Sequence, residues 1–240
     1  PGPDFLLDAP ADSLRWMPKT ISVVLPCAEE REYALKTVQS VFSSVPWDVL
    51  KEIVVVDDGS DPPLADTHLK PEVQKKLKVK LLRHETTIGL IGAKKTGGDA
   101  AEGDIVCFFD CHVAPQRDWY MDFIKLIGEN YRRMVVPAIT ALDVDTWTQM
   151  SDGGMAKCYL TWDADFKWVD TDDMYIPLIS GGLLGMSRRW WKETGGYDKE
   201  MLGWGGENID QSLRVWLCGG EIAMAPHAKV AHMWRDGSAK

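Results

Sequence analysis

No run of apolar residues in this chain approaches the roughly 20 needed to cross a bilayer. The longest, such as Ile21 to Pro26 and Ile105 to Phe109, are strand-length, so no membrane segment is expected. Basic residues are in deficit, 27 Lys and Arg against 36 Asp and Glu, giving a net charge of −9 and a pI near 5.1. Nucleic-acid binders need Lys and Arg clusters to displace phosphate counterions, and no basic stripe is present, which sets that class aside. The five cysteines, Cys27, Cys107, Cys111, Cys158 and Cys218, are odd in number and show no paired short spacing. That excludes a zinc ribbon and a complete disulfide framework, and leaves at least one thiol free or paired elsewhere. Cys107, inside an apolar run, reads as buried filler. Internal repeats and low-complexity segments are absent. So is an initiating Met: the chain starts Pro1-Gly2-Pro3, which reads as processed or trimmed, with neither signal peptide nor anchor.

What is present suits a packed core: 240 residues, 45% hydrophobic and 26% charged, enough for one large domain or two small ones. Thr20 to Pro26 is a β-branched run, and Glu30 to Ser43 carries apolar residues at helical spacing. Glu52 to Val56 and Val79 to Arg83 read as strands, Gly89 to Ala101 as a small-residue helix, and Asp104 to Phe109 as a further strand. This alternation predicts an α/β fold with a parallel sheet covered on both faces. Past Asp118 the spacing gives a helix to about Asn130 and a strand from Met134 to Ala138. A long Trp-, Asp- and Gly-rich stretch then runs to Pro177. Ile179 to Met186 reads as a strand, Gly206 to Cys218 as an amphipathic helix and Glu221 to Ala225 as a closing strand. A single domain over 1–240 is expected, with a nucleotide-binding half at about 17–112. A donor-sugar and acceptor half at about 113–240 would share the same sheet.

Ligands of such sheets bind at the carboxyl ends of the strands, where Asp57-Asp58-Gly59-Ser60 and Asp110-Cys111-His112 fall. In extended geometry Asp110 and His112 point the same way while Cys111 points back into the protein, so Cys111→Ala is expected to be mild for metal-dependent activity by comparison with loss of Asp110 or His232. A carboxylate and an imidazole suit Mn2+, although the same residues also read as a plain strand exit. His232, after the apolar Val230-Ala231, is a candidate third ligand; His227, beside Pro226, reads as a turn residue, and His68 and His84 as remote. In Trp204-Gly205-Gly206-Glu207-Asn208 two glycines permit close backbone approach, an aromatic ring suits the apolar face of a sugar, and an acid opens a helix. Helix capping is the blander account of Glu207. Asp57, after the strand Ile53 to Val56, can accept from the imide N–H of uracil, while Asp58-Gly59-Ser60 also reads as a turn.

Taken together, Glu52-Ile53-Val54-Val55-Val56-Asp57-Asp58, Gly89-Leu90-Ile91, Phe109-Asp110-Cys111-His112, Ser180-Gly181-Gly182-Leu183, Trp204-Gly205-Gly206-Glu207-Asn208, Arg214-Val215-Trp216-Leu217-Cys218-Gly219-Gly220 and Val230-Ala231-His232 carry a resemblance. Over about Ile21 to Arg235 the chain resembles the UDP-GalNAc:polypeptide N-acetylgalactosaminyltransferases, which begin mucin-type O-glycosylation on Ser and Thr. The resemblance implies a Rossmann-like glycosyltransferase A fold with a mostly parallel central sheet flanked by helices. It implies Mn2+ held by Asp110, His112 and His232, and uracil met by Asp57. The donor sugar would be lined by Ser180, Gly181, Gly182, Trp204 and Glu207, with Lys94 and Arg235 as cations at the donor. It further implies a UDP-sugar donor, a Ser/Thr polypeptide acceptor, the Golgi lumen, and transfer with retention, the leaving phosphate helping to deprotonate the acceptor. Asn208 fits that chemistry, because an amide cannot act as a base.

The chain departs from the family pattern at Gly92, where Arg is usual and for which Lys94 would compensate. It departs again at His227, where a cysteine partner of Cys218 is usual. It ends shortly after Arg235, without the family's mobile loop or lectin domain, as a truncated or minimal relative would. Two other readings stand beside this one. An inverting β-galactosyltransferase or chondroitin-polymerase type would need Glu207 or Asp210 as general base. A nucleotide-sugar binder that has lost turnover would need no base.

Overall fold

A computed structural model of the chain describes residues 11–150, 157–163, 165–169 and 171–234. After a single turn α1 (Ala11–Leu14), the first half runs β1 (Ile21–Cys27), α2 (Glu32–Ser44), β2 (Leu50–Asp58), α3 (Pro71–Lys76), β3 (Val79–His84), α4 (Leu90–Ala100) and β4 (Ile105–Phe108). The second half runs β5 (Val113–Pro115), α5 (Tyr120–Glu129), β6 (Arg133–Asp143), β7 (Thr148–Gln149), β8 (Lys157–Leu160), β9 (Phe166–Val169), β10 (Leu184–Ser187), α6 (Arg188–Thr194), α7 (Gly206–Leu217) and β11 (Glu221–His232).

One sheet joins both halves in the order β3-β2-β1-β4-β10-β6-β11-β5, with β7 on β6. The first four strands are mutually parallel, as are β6 and β11; β10 enters antiparallel between β4 and β6, and β5 runs antiparallel to β11. Every residue of β1 is buried, as a strand covered on both faces requires. Its residues alternate between two cores. Ile21, Val23 and Leu25 pack with Val38 and Val41 of α2 and Phe123 of α5, while Val24 joins Ile91 of α4, Trp190 and Trp191 of α6 and Val215 of α7. Helix α2 ends at Ser44 because Val45 precedes Pro46 and takes an extended conformation (φ −127°, ψ 135°).

Three expectations change. Strand β10 begins only at Leu184; upstream, the Ile179 amide donates to Ser212 Oγ at 3.0 Å instead of joining the ladder. The closing strand continues past Ala225 through Pro226 and His227 to His232. A shift of register against β6 between Ala225 and Lys229 accommodates the proline, so His227 lies in a strand and not in a turn. Cys111 is joined to Cys27 by a disulfide, which closes an 84-residue loop. Cys107, Cys158 and Cys218 are free.

Helix α4 lies close on the sheet because of its small residues. A Cβ on Gly97 would stand 2.3 Å from Val24 Cγ1, and one on Gly98 would stand 2.4 Å from the Trp191 ring. In an exposed helix Gly→Ala gains about 1 kcal/mol. Here the stiff β-branched Val24 cannot yield, and overpacking of this kind costs about 1–3 kcal/mol. Gly97→Ala is therefore expected to lower the urea midpoint; an unchanged or raised midpoint contradicts the packing described. Cys27→Ser is expected to cost about 2–4 kcal/mol by freeing the unfolded chain, and Cys111→Ala, which breaks the same bond, is expected to cost as much stability. Matching urea titrations of native and variant chains check this, and coincident curves would contradict it.

Candidate active site

The carboxyl ends of β1, β2 and β4 open onto a cavity of about 700 Å³. Its far wall comes from the second half, including Ser180, Gly181, Gly182, Trp204, His232 and Trp234. Phe109 continues the buried line of β4, and Asp110 and His112 follow at the cavity wall. His232 is delivered by the β11–β5 pairing, which sets it opposite Val113, and the Met233 amide donates to the His112 carbonyl at 3.1 Å. Asp110, His112 and His232 each offer one ligand atom, all within 4.8 Å of one another. His232 Nε2 lies 3.0 Å from Asp110 Oδ2, and the two imidazole rings are 4.9 Å apart. A Cβ at Gly182 would meet Asp110 Oδ1 at 2.2 Å, so only glycine permits this approach.

Burial alone would raise the Asp110 pKa. The His232 hydrogen bond and the nearby Lys94, His232 and His112 charges outweigh it and hold the carboxyl below its ordinary value. An anionic carboxylate with two imidazoles is a donor set that fits Mn2+. Lys94 is buried behind this group, 3.9 Å from Glu207 Oε1; burial pushes its pKa down, against the opposing pull of Asp110 and Glu207. Its acid contact among the described residues is with Glu207, and it does not line the cavity.

The other expected site residues divide. Ser180, Gly181, Gly182 and Trp204 line the cavity, with Trp204 71% exposed. Glu207 and Asn208 are fully buried beneath it and do not reach the wall. Glu207 Oε2 accepts from the Gly205 amide at 2.6 Å, whereas its Oε1 and both side-chain polar atoms of Asn208 have no hydrogen-bond partner among the described residues. Tyr197 and Gln211 add further unpaired buried polar atoms; burial, Glu207 and Asp110 push the Tyr197 phenol up. Arg235 lies outside the described residues.

Asp57 does not meet the cavity. Along β2, Ile53 and Val55 face the core under α2, and Asp57 continues that face. Its oxygens accept from the Ser60 and Leu64 amides at 3.1 and 3.0 Å and from Arg83 at 2.7 Å. Asp58, on the face of Val54 and Val56, lines the cavity instead. It accepts from the Ile88 and Gly89 amides, the Thr87 hydroxyl and His84. Burial raises its pKa, but these four bonds prevail and leave it lowered. A strand of period two assigns neighbouring acids to opposite faces, and the apolar pattern of β2 carried that signal. Glu30, which lies just past the end of β1 and borders the cavity, was also missed; its place after a strand's carboxyl end was the available clue.

The sequence model of glycosyl transferase family 2 matches residues 22–194, and that of the N-terminal domain of galactosyltransferase matches residues 173–235. Human polypeptide N-acetylgalactosaminyltransferase 14 is 32% identical over 231 residues, covering 91% of this chain and 41% of that protein. The probable N-acetylgalactosaminyltransferase 9 of Caenorhabditis elegans is 33% identical over 238 residues, covering 92% and 40%. The chain thus spans about two-fifths of the length of these relatives. A crystal structure of GalNAc-T7 with UDP, GalNAc and Mn2+ superposes with a TM-score of 0.80 at 29% identity, over 92% of this chain and 45% of that one. The S. aureus TarS 1-349 complex with UDP-GlcNAc, at 17% identity and a TM-score of 0.66 over 91% of this chain and 60% of that one, shares the fold. With a family match across most of the sheet and the cavity it frames, the chain belongs to glycosyl transferase family 2.

Proposed function

We propose that this chain is the catalytic core of a Mn2+-dependent transferase that moves GalNAc from UDP-GalNAc to a Ser or Thr hydroxyl of a polypeptide, with retention. The observation that carries this reading is the convergence of Asp110, His112 and His232 at the carboxyl ends of the strands, inside a cavity of about 700 Å³. Similarity to GalNAc-T7, solved with UDP, GalNAc and Mn2+, supports the choice of donor and metal. In this assignment the three side chains would hold the ion, which when bound would neutralise charge on the departing diphosphate. The nucleotide lies toward Asp58, Thr87 and Gly89, and the sugar toward Ser180, Gly181, Gly182 and Trp204. Glu207, Asn208 and Lys94 support that pocket from below. The compartment assigned is the Golgi lumen, and the Cys27–Cys111 disulfide suits an oxidising compartment.

Retention is favoured over inversion by the state of the two acids that inversion would need. Glu207 is buried, bonded to the Gly205 amide and 3.9 Å from Lys94, and Asp210 is paired with Arg214. Neither is placed to take a proton from an acceptor in the cavity.

The test is UDP-GalNAc with a Ser/Thr peptide, with Mn2+ or with EDTA. UDP release and an α-linked GalNAc-peptide are expected only with the metal. A metal ion contributes several kcal/mol of transition-state stabilisation. Asp110→Ala and His232→Ala should therefore lower the rate on the order of a hundred- to a thousand-fold while leaving the thermal melt of the metal-free chain little changed. A β-linked product would remove the retaining mechanism, and metal-independent turnover would remove the role of the ion.

A further inference from the structure

We propose that Glu30 is a positioning residue for the metal centre, holding the His112 ring through Nδ1 so that Nε2 presents its lone pair to the ion. The proposal rests on the reading of Asp110, His112 and His232 as ligands. Glu30 Oε1 lies 3.2 Å from His112 Nδ1, and both side chains are largely withdrawn from solvent, at 7% and 14% exposure. An ionised carboxylate only accepts, so the contact commits Nδ1 to carrying the proton. A neutral imidazole with its proton on Nδ1 has its lone pair on Nε2, and a carboxylate behind the ring raises the basicity of that nitrogen.

The chain around Glu30 is shaped to hold this aim. Its neighbours Glu29 and Arg31 both have positive φ, 56° and 51°, a conformation that costs a residue with a side chain roughly 1–2 kcal/mol. The turn is also tied on several sides. The Glu29 amide donates to Ser60 Oγ at 3.2 Å, and Glu29 Oε1 accepts from the Asp61 amide at 2.8 Å. The Glu30 carbonyl accepts from the Tyr33 amide at 3.0 Å, at the start of α2. Three residues earlier, Cys27 is bonded covalently to Cys111, the residue before His112. The loop that carries the carboxylate and the loop that carries the imidazole are therefore joined at two points. Backbone strain spent at a ligand-facing turn, with a carboxylate aimed at an imidazole nitrogen, is the arrangement of an outer-shell partner.

The experiment is a Mn2+ titration followed by the free-ion EPR signal, on the native chain and on Glu30→Ala, Glu30→Gln and His112→Ala, with thermal melts in EDTA as the measure of folding. The native chain should bind one ion, and His112→Ala should bind it far more weakly. Glu30→Ala should bind it about 10–100-fold more weakly, and Glu30→Gln, whose amide oxygen still accepts from Nδ1, should fall between native and Ala. Affinity of Glu30→Ala within about twofold of native would overturn the proposal. A Glu30→Gln variant no tighter than Glu30→Ala would overturn it, because the bond accepted from Nδ1 would then contribute nothing. A native chain that does not bind Mn2+ through His112 would instead overturn the metal reading itself. The native, metal-free chain supplies a readout independent of variant folding. Long-range 1H–15N spectra should show His112 protonated on Nδ1, and protonation on Nε2 alone would refute the role.

Discussion

His232 and Asp110 are separated by 122 residues and meet at 3.0 Å because a three-residue strand, β5, turns back from the metal motif to pair antiparallel with β11. The rest of the site depends on that pairing. Parallel strands β1, β2 and β4 bring acids and backbone to one edge, but none of them could supply a second imidazole from the far half of the chain. β11 does so after running parallel to β6 and absorbing Pro226 at a shift of register, so its last residue reaches the same edge. Antiparallel β10, between β4 and β6, is what makes one continuous sheet of two halves.

Behind the wall lies a row of charge that ordinary burial would not tolerate. Lys94, 1% exposed, stands 3.9 Å from Glu207 Oε1, and its charge is one of those that lower the Asp110 pKa against burial. The His232 hydrogen bond, with the Lys94, His232 and His112 charges, holds Asp110 below its ordinary pKa, as a metal ligand requires. This arrangement gives Lys94 an indirect part: it conditions the acid that faces the cavity and does not face the cavity itself. Buried polar atoms on Glu207, Asn208, Gln211 and Tyr197 have no hydrogen-bond partner among the described residues.

The first half of the fold was largely legible because β1, β2 and β4 are buried on both faces and α2 carries its apolar residues three and four apart, as in Ala34, Val38 and Val41. The second half was less so. Helix α6 was missed although its caps are plain in hindsight: Ser187 Oγ accepts from the Trp190 amide, and Gly195 takes φ 81°. The β8–β9 hairpin is half exposed, and its residues gave no clean alternation. At the site, Asp110 and His112 were readable from their spacing at a strand end, whereas Ser180, Gly181 and Gly182 were expected only through the family resemblance. The disulfide was not, since 84 residues separate its cysteines and nothing local links them. Glu207 and Asn208 show the limit of motif reading, which identifies a residue's neighbourhood but not whether its side chain faces the cavity or the core.

The most direct test of the metal centre is anomalous diffraction at the manganese edge from crystals of this chain grown with UDP and Mn2+. The expected result is one strong peak bounded by Asp110, His112 and His232, adjoining the diphosphate. A peak held by other residues, or a diphosphate bound in the cavity with no metal beside it, would contradict the assignment.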